Sequence, residues 1–260
     1  MKKILLILLV CAFSFTKAQV WDSVKTAKLF GKNIGAMIIY DKTKEKYYRY
    51  NQPRAAERFT PASTFKIPNS LFGIESGVIP DENFVIKWDG VKRWRKEWNQ
   101  DNTLASAIKV SCVPYYQEVA RRLGREKSAK YLKDMGYGNC LIGDKVDMYW
   151  LDNSLKISAE EQVAFMKRFY DYKLSFANRT VDIVKSILPE EKYKNSRMKF
   201  KTGTGTKEDG VWIAWLVGYV ENKGNVYFFA FNVEASSFEK AAKLRDKIPR
   251  KILKQIKVLN

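Results

Sequence analysis

Phe59-Thr60-Pro61-Ala62-Ser63-Thr64-Phe65-Lys66 is the stretch from which the rest of the chain is best read. Pro61-Ala62 leads into an apolar, helix-like run, so Ser63 and Lys66 share one helix face, one turn apart. A serine at a helix N-terminus lies near free backbone N–H groups and the positive end of the helix dipole. Such donors can stabilise a developing oxyanion. The 260 residues contain no histidine. That removes the Ser-His-Asp route to an activated nucleophile. It also removes the commonest zinc ligand, so no metal is expected. A serine served by a lysine base is the main route left.

Ser-x-x-Lys says little by itself in so lysine-rich a chain. It occurs five times, starting at Ser14, Ser63, Ser106, Ser196 and Ser237. Two further elements single out Ser63. Ser111-Cys112-Val113 is followed by Pro114, and Lys201-Thr202-Gly203 precedes an aromatic strand. A glycine on an edge strand lets a substrate backbone come close, and the lysine offers a fixed positive charge to a carboxylate. Each element is weak alone, where a polar helix terminus or a strand glycine explains it equally well. Their order and spacing together are specific.

The bulk properties bound the reading. Lys2 and Lys3, the apolar run Ile4 to Phe15, and Thr16-Lys17-Ala18 form an export-signal pattern, too short to span a bilayer, which takes about 20 apolar residues. Cys11 suggests a lipid anchor, but Val10 before it is bulky and cleavage there would halve the apolar run. Cleavage after Ala18 is expected, giving an exported periplasmic protein with no stable membrane insertion. Cys112 and Cys140 then remain, too few for a disulfide framework, and are expected to be reduced, buried thiols. The formal charge of +19 falls by three when Lys2, Lys3 and Lys17 leave. The positive residues are spread along the chain rather than gathered, which favours a solvated lysine-rich surface and no nucleic-acid partner.

Asn33 to Asp41 and Lys46 to Asn51 read as strands joined by Lys42-Thr43-Lys44-Glu45. Helices are expected over Tyr116 to Leu123 and Ser128 to Met135, each stopped by glycine, over the capping-box segment opening at Ser158, and over Thr180 to Leu188. Val211 to Val220 and Asn225 to Glu234 read as strands around Glu221-Asn222-Lys223-Gly224. A terminal helix from Ser237 is expected to break at Pro249. The pattern predicts an α/β (α+β) protein: an antiparallel sheet flanked by helices, with an inserted all-helical lobe. The expected division is a sheet lobe of about 19–60 and 190–260, a helical lobe of about 61–189, and a cleft between them.

On these motifs the chain resembles the class D serine β-lactamases, the oxacillinase type of the penicillin-binding-protein-like transpeptidase superfamily. The resemblance runs over almost the whole mature sequence. It includes Trp98 with Asp101, Ser111-x-Val113-Pro114, Tyr137-Gly138-Asn139, Trp150-Leu151, Lys201-Thr202-Gly203 and Trp215-Leu216-Val217-Gly218. It implies a serine hydrolase acting on β-lactams, with no cofactor beyond the carbon dioxide or bicarbonate that carboxylates Lys66 to N6-carboxylysine. In that scheme Ser63 is the nucleophile, carboxylated Lys66 the base, Ser111 the proton relay, and Trp150 the donor to the carbamate. The N–H groups of Ser63 and Thr204 form the oxyanion hole. Lys201, Thr202, Gly203 and Arg245 bind substrate, while Val113 and Leu151 line the base's apolar pocket. Arg245 rests on one position in a helix crowded with charge, where a solvated role is a live alternative. For Tyr137-Gly138-Asn139 a loop-holding role and substrate contact stand level. Cys112 departs from the small apolar residue usual in its motif. Selectivity is expected from loops around Trp98, Ile108 and Thr204 to Gly210.

Three other readings compete: a penicillin-sensing receptor domain that keeps its acyl group, a D,D-peptidase, and a basic exported binding module for anionic polymer, whose affinity would fall steeply with salt. The chain itself is expected to be a monomer or homodimer.

Overall fold

The structure is a computed structural model and describes residues 23–260. The expected export signal, its cleavage point and Cys11 lie outside the described residues. The chain opens with α1 (Ser23–Phe30), β1 (Gly35–Asp41), β2 (Lys46–Tyr50) and α2 (Gln52–Ala56). A 3-10 turn (Ala62–Phe65) leads into α3 (Lys66–Glu75), followed by β3 (Val85–Ile86), a second 3-10 turn (Lys96–Trp98) and β4 (Asn102–Thr103). Then come α4 (Leu104–Lys109), α5 (Val113–Leu123), α6 (Arg125–Met135), α7 (Ala159–Tyr170) and α8 (Asn178–Ile187). The chain closes with β5 (Glu190–Lys192), β6 (Ser196–Thr206), β7 (Trp212–Asn222), β8 (Asn225–Ala235) and α9 (Phe238–Gln255).

Strand alternation explains the layering. The main sheet has the order β2-β1-β8-β7-β6-β5, every neighbour antiparallel. Side chains two apart in a strand share a face. In β7, Ile213, Trp215, Val217 and Tyr219 enter the core shared with the helical insertion. Ala214, Leu216 and Val220 point the other way, into a second core closed by Ala241, Ile248, Ile252 and Leu253 of α9 and by Phe30 of α1. A strand buried on both faces must be apolar throughout, which is how β7 and β8 read. The mixed α/β architecture with an antiparallel sheet is the one expected.

Several boundaries differ from expectation. The insertion is not all-helical, because β3 and β4 pair in a small two-stranded ladder. Helix α9 runs unbroken through Pro249. Proline there removes one intrahelical hydrogen bond, but its ring is buried with Ile248, Ile252 and Leu253 on the face packed against the sheet. Helix α5 starts at Val113, with Pro114 in its first turn, where a missing N–H costs nothing. Gly124 ends α5 and caps α6, so α6 begins before Ser128. The β7–β8 turn narrows to Lys223-Gly224, both at positive φ, as two-residue hairpins require.

Two links hold the segment that leads to Ser63, one to the sheet and one to the loop before α7. Trp215 Nε1 donates to Thr60 O at 2.9 Å, and Phe59 exchanges backbone hydrogen bonds with Ile157.

Candidate active site

The turn that carries Ser63 is held in an unusual conformation. Ala62 has φ 47°, left-handed for a residue with a Cβ, and such strain persists only where the surroundings impose it. Ser63 sits in the 3-10 turn, half-buried, and Lys66 opens α3. Lys66 is only 1% exposed, and its Nζ donates to Ser63 Oγ at 2.9 Å. Burial pulls the Lys66 amine down to about 7. The Arg95 charge acts in the same direction, against an opposing contribution from Cys112. Near neutral pH this amine therefore spends much of its time unprotonated.

Aromatic packing builds the pocket around that turn. Phe65 stacks on Trp150, ring centroids 5.7 Å apart, and meets Tyr149 and Tyr137 edge-on. Thr60 Oγ1 donates to Trp150 O at 3.0 Å and fixes the tryptophan's backbone. The Trp150 indole N–H is buried and meets no hydrogen-bond acceptor. Buried donors are rarely left so.

A second serine–lysine pair faces the same space. Ser111, at φ 55°, accepts from Lys201 Nζ at 3.0 Å. Trp98 Nε1 donates to Val110 O at 3.1 Å and pins the loop ahead of Ser111. Lys201 is also 1% exposed. Burial, joined by the charges of Lys66, Arg245 and Arg95, holds its amine well below the usual lysine range.

Strand β6 completes the wall. A Cβ on Gly203 would stand 2.8 Å from Pro61 O, so only glycine lets the strand lie this close to the Ser63 turn. Phe200 N–H turns away from β7 to reach Pro189 O. By the two-residue period of a strand, the Thr202 and Thr204 N–H groups face the same way, off the sheet. Arg245 Nη1 donates to Thr204 Oγ1 at 2.7 Å, and Arg245 Nε pairs with Asp246.

Ser63, Ser111, Val113, Leu151, Thr202, Gly203, Thr204 and Arg245 thus line one cleft of about 620 Å3. Lys66 and Lys201 lie beneath it, bonded to its two serines, while Trp150 is fully buried beside Phe65. Of the segment around Ile108, expected to shape selectivity, Lys109 and Ser111 line the cleft while Ile108 itself is fully buried in the core. Arg95, Trp94, Trp212 and Phe238 line the cleft without having been singled out. The cationic, aromatic run Lys92-Arg93-Trp94-Arg95 was the one signal for Trp94 and Arg95 in the sequence.

Tyr137-Gly138-Asn139 proves structural. Asn139 Nδ2 donates to Ser154 O at 2.8 Å, and its Oδ1 accepts from Lys156 N at 2.9 Å. Gly138 has φ 58°, and a Cβ there would stand 2.0 Å from Lys156 O. The motif clamps the loop that presents Trp150 and Leu151. Gly138→Ala is expected to cost about 3 kcal/mol and lower Tm by roughly 6–12 °C in calorimetry. An unshifted Tm would show that the clamp carries no strain-sensitive load.

Cys112 caps α5 and is 2% exposed. Burial pushes its thiol up, as expected of an inert cysteine. Cys112 and Cys140 are both free. Among the described residues no cluster of metal-ligating side chains occurs, and no helix is long and apolar enough to cross a membrane.

Fold and site together define a serine acyl-transfer domain whose hydroxyls are served by buried lysines. The penicillin binding protein transpeptidase domain matches residues 34–256. Beta-lactamase OXA-48 of Klebsiella pneumoniae is 40% identical over 228 residues, 88% of this chain and 85% of that protein. The crystal structure of FUS-1 (OXA-85), a class D β-lactamase from Fusobacterium nucleatum subsp. polymorphum, superposes with a TM-score of 0.87. It is 38% identical and covers 91% of this chain and 99% of its own. Regulatory protein BlaR1 of Bacillus licheniformis is 36% identical over 200 residues, 77% of this chain but only 33% of that protein. The chain belongs to the penicillin-binding-protein transpeptidase family and, within it, to the class D β-lactamases.

Proposed function

We propose that this protein hydrolyses the amide bond of penicillin-type β-lactams through an acyl-enzyme on Ser63, with Lys66 carrying a carbamate as general base. The observation that carries the reading is the pairing of a buried Lys66 amine near 7, 2.9 Å from Ser63 Oγ, with a buried Trp150 N–H that lacks an acceptor. An unprotonated amine can attack carbon dioxide and lose its proton, leaving an N-carboxylate. A buried anion needs a donor, and the Trp150 indole would supply one. Once in place, the carboxylate would provide a base with a strong, fixed preference for the Ser63 proton.

The chain's own groups do the rest. Ser63 Oγ gives up its proton and bonds to the lactam carbonyl carbon, while the carbonyl oxygen turns to the N–H groups of Ser63 and Thr204. The ring C–N bond breaks, and the nitrogen takes, through Ser111, the proton that the base at Lys66 drew from Ser63, which frees the base for its second use. Lys201 Nζ, 3.0 Å from Ser111 Oγ, orients that hydroxyl. Arg245 and Thr202 hold the substrate carboxylate, the arginine in a fork suited to it. Val113 and Leu151 limit water at the base. One water then cleaves the Ser63 ester, its proton passing to the base at Lys66 and on to the departing Ser63 Oγ, and the ring-opened acid leaves. We further propose export to the periplasm, in keeping with the basic-apolar pattern of Lys2 to Phe15, where this hydrolysis would confer β-lactam resistance.

The match to BlaR1 favours a second reading, a penicillin sensor that is acylated and stays so. Purified protein incubated with a chromogenic cephalosporin and bicarbonate separates the two. Many turnovers per molecule are expected. A single stoichiometric burst would favour the sensor, and no acylation would contradict both. Trp150→Phe keeps the stacking on Phe65 but removes the N–H donor. It is expected to slow turnover about 10- to 100-fold, the worth of a hydrogen bond to a charge, with partial recovery at high bicarbonate. Unchanged turnover would remove Trp150 from the scheme.

A further inference from the structure

The mechanism gives no task to Arg95, a cation that lines the cleft. Arg95 lies in the segment between β3 and the Lys96–Trp98 turn, half-buried, on the wall supplied by the helical insertion. Its guanidinium is 5.4 Å from the Trp94 ring centroid and 5.8 Å from that of Trp98. Among the described residues its side chain forms no ion pair and no hydrogen bond. Of the acids in its own segment, Asp89 pairs with Arg93 and Asp101 with Lys87, while Glu97 is exposed and forms no ion pair with Arg95. The remaining charges lining the cleft are the exposed Lys109, Arg245 with its Asp246 partner, and the exposed Glu239 at the α9 end.

The surroundings of Arg95 are aromatic. Trp94 is 70% exposed, an unusual position for tryptophan. It meets Trp98 edge-on at 5.6 Å and Phe238 of α9 at 5.8 Å, and Phe238 in turn meets Trp212. This rim joins the two lobes at the mouth of the cleft. A guanidinium laid against indole faces is held in orientation while its N–H fork stays free for an anion. Arg245 stands on the α9 side and is already assigned to the ring carboxylate, so Arg95 belongs to a different part of the ligand.

We propose that Arg95 is a second anion subsite, taking a carboxylate or sulfonate borne on the acylamino side chain of a β-lactam whose aryl group rests on Trp94 and Trp98. The inference rests on the function proposed above and names its preferred substrates as dianionic, aryl-bearing β-lactams. The Arg95 charge also reaches the reacting groups, where it helps to depress both Lys66 and Lys201.

Benzylpenicillin and carbenicillin test this directly, since they differ by one carboxylate on the benzylic carbon. Second-order acylation rates, followed by intact mass, do not depend on later turnover. In Arg95→Met, which keeps an apolar stem against the tryptophans, the carbenicillin-to-benzylpenicillin ratio is expected to fall about tenfold. Arg95→Lys should fall between the two, and added salt should lower the wild-type ratio. A ratio unchanged in Arg95→Met, or equal losses for both penicillins, would overturn the subsite while leaving the acylation chemistry standing. Failure of both penicillins to acylate the wild-type protein would instead contradict the proposed function itself.

Discussion

Lys66→Ala is expected to reduce β-lactam turnover by about 1,000-fold or more while still permitting slow acylation of Ser63. The base is used twice, once to take the Ser63 proton and once to activate water, and general-base catalysis contributes about 100- to 10,000-fold in a step. No other amine replaces it, because Lys201 is bonded to Ser111 rather than to Ser63. The lost amine is buried and close to neutral, so its removal leaves no unpaired charge and the fold should survive. Intact mass spectrometry should therefore find a long-lived adduct on a folded protein. Normal deacylation by this variant would overturn the role of Lys66.

Ser63→Ala is expected to abolish acylation altogether. The experiment has unusual value here because the cleft holds two serine–lysine pairs of nearly equal geometry, Ser63–Lys66 at 2.9 Å and Ser111–Lys201 at 3.0 Å. Distance alone does not choose between them. The choice comes from the surroundings: Ser63 follows the left-handed Ala62, opens the turn into α3, and has β6 with its free Thr204 N–H drawn up against it by Gly203. Those donors suit a carbonyl attacked from Ser63. A Ser63→Ala protein that still gained mass at Ser111 would reverse the assignment.

The sheet was legible because β1, β7 and β8 must satisfy two cores at once, which leaves a run of aromatic and β-branched residues that no surface element would carry. The capping box at Ser158 was legible for a local reason, and both of its hydrogen bonds are present. Short elements were not. Helices α1, α2 and α4 and the β3–β4 ladder went unread, since pieces of two to eight residues owe their form to tertiary contact more than to propensity. The break expected at Pro249 failed for a related reason, because packing on the sheet outweighs one missing hydrogen bond.

The site shows the same division. Five Ser-x-x-Lys patterns are equivalent as strings; the neighbouring motifs single out Ser63, and the structure adds that Lys66 is buried where Lys109 is exposed. That Trp150 serves the pocket was suggested by family likeness, and its unpartnered N–H became visible only with coordinates. Arg95 illustrates the reverse case: a charged residue in a charged run looks solvated until it is seen to line the cleft beside Trp94 and Trp98.

Carbon-13 NMR of the active protein in labelled bicarbonate tests the central claim most directly. Protonated Lys66 cannot attack carbon dioxide, so the unprotonated fraction and the labelled carbamate should both grow as pH rises through about 7. The account predicts a carbamate carbonyl signal that follows turnover and is missing from Lys66→Ala. A fully active sample with no such signal would contradict it.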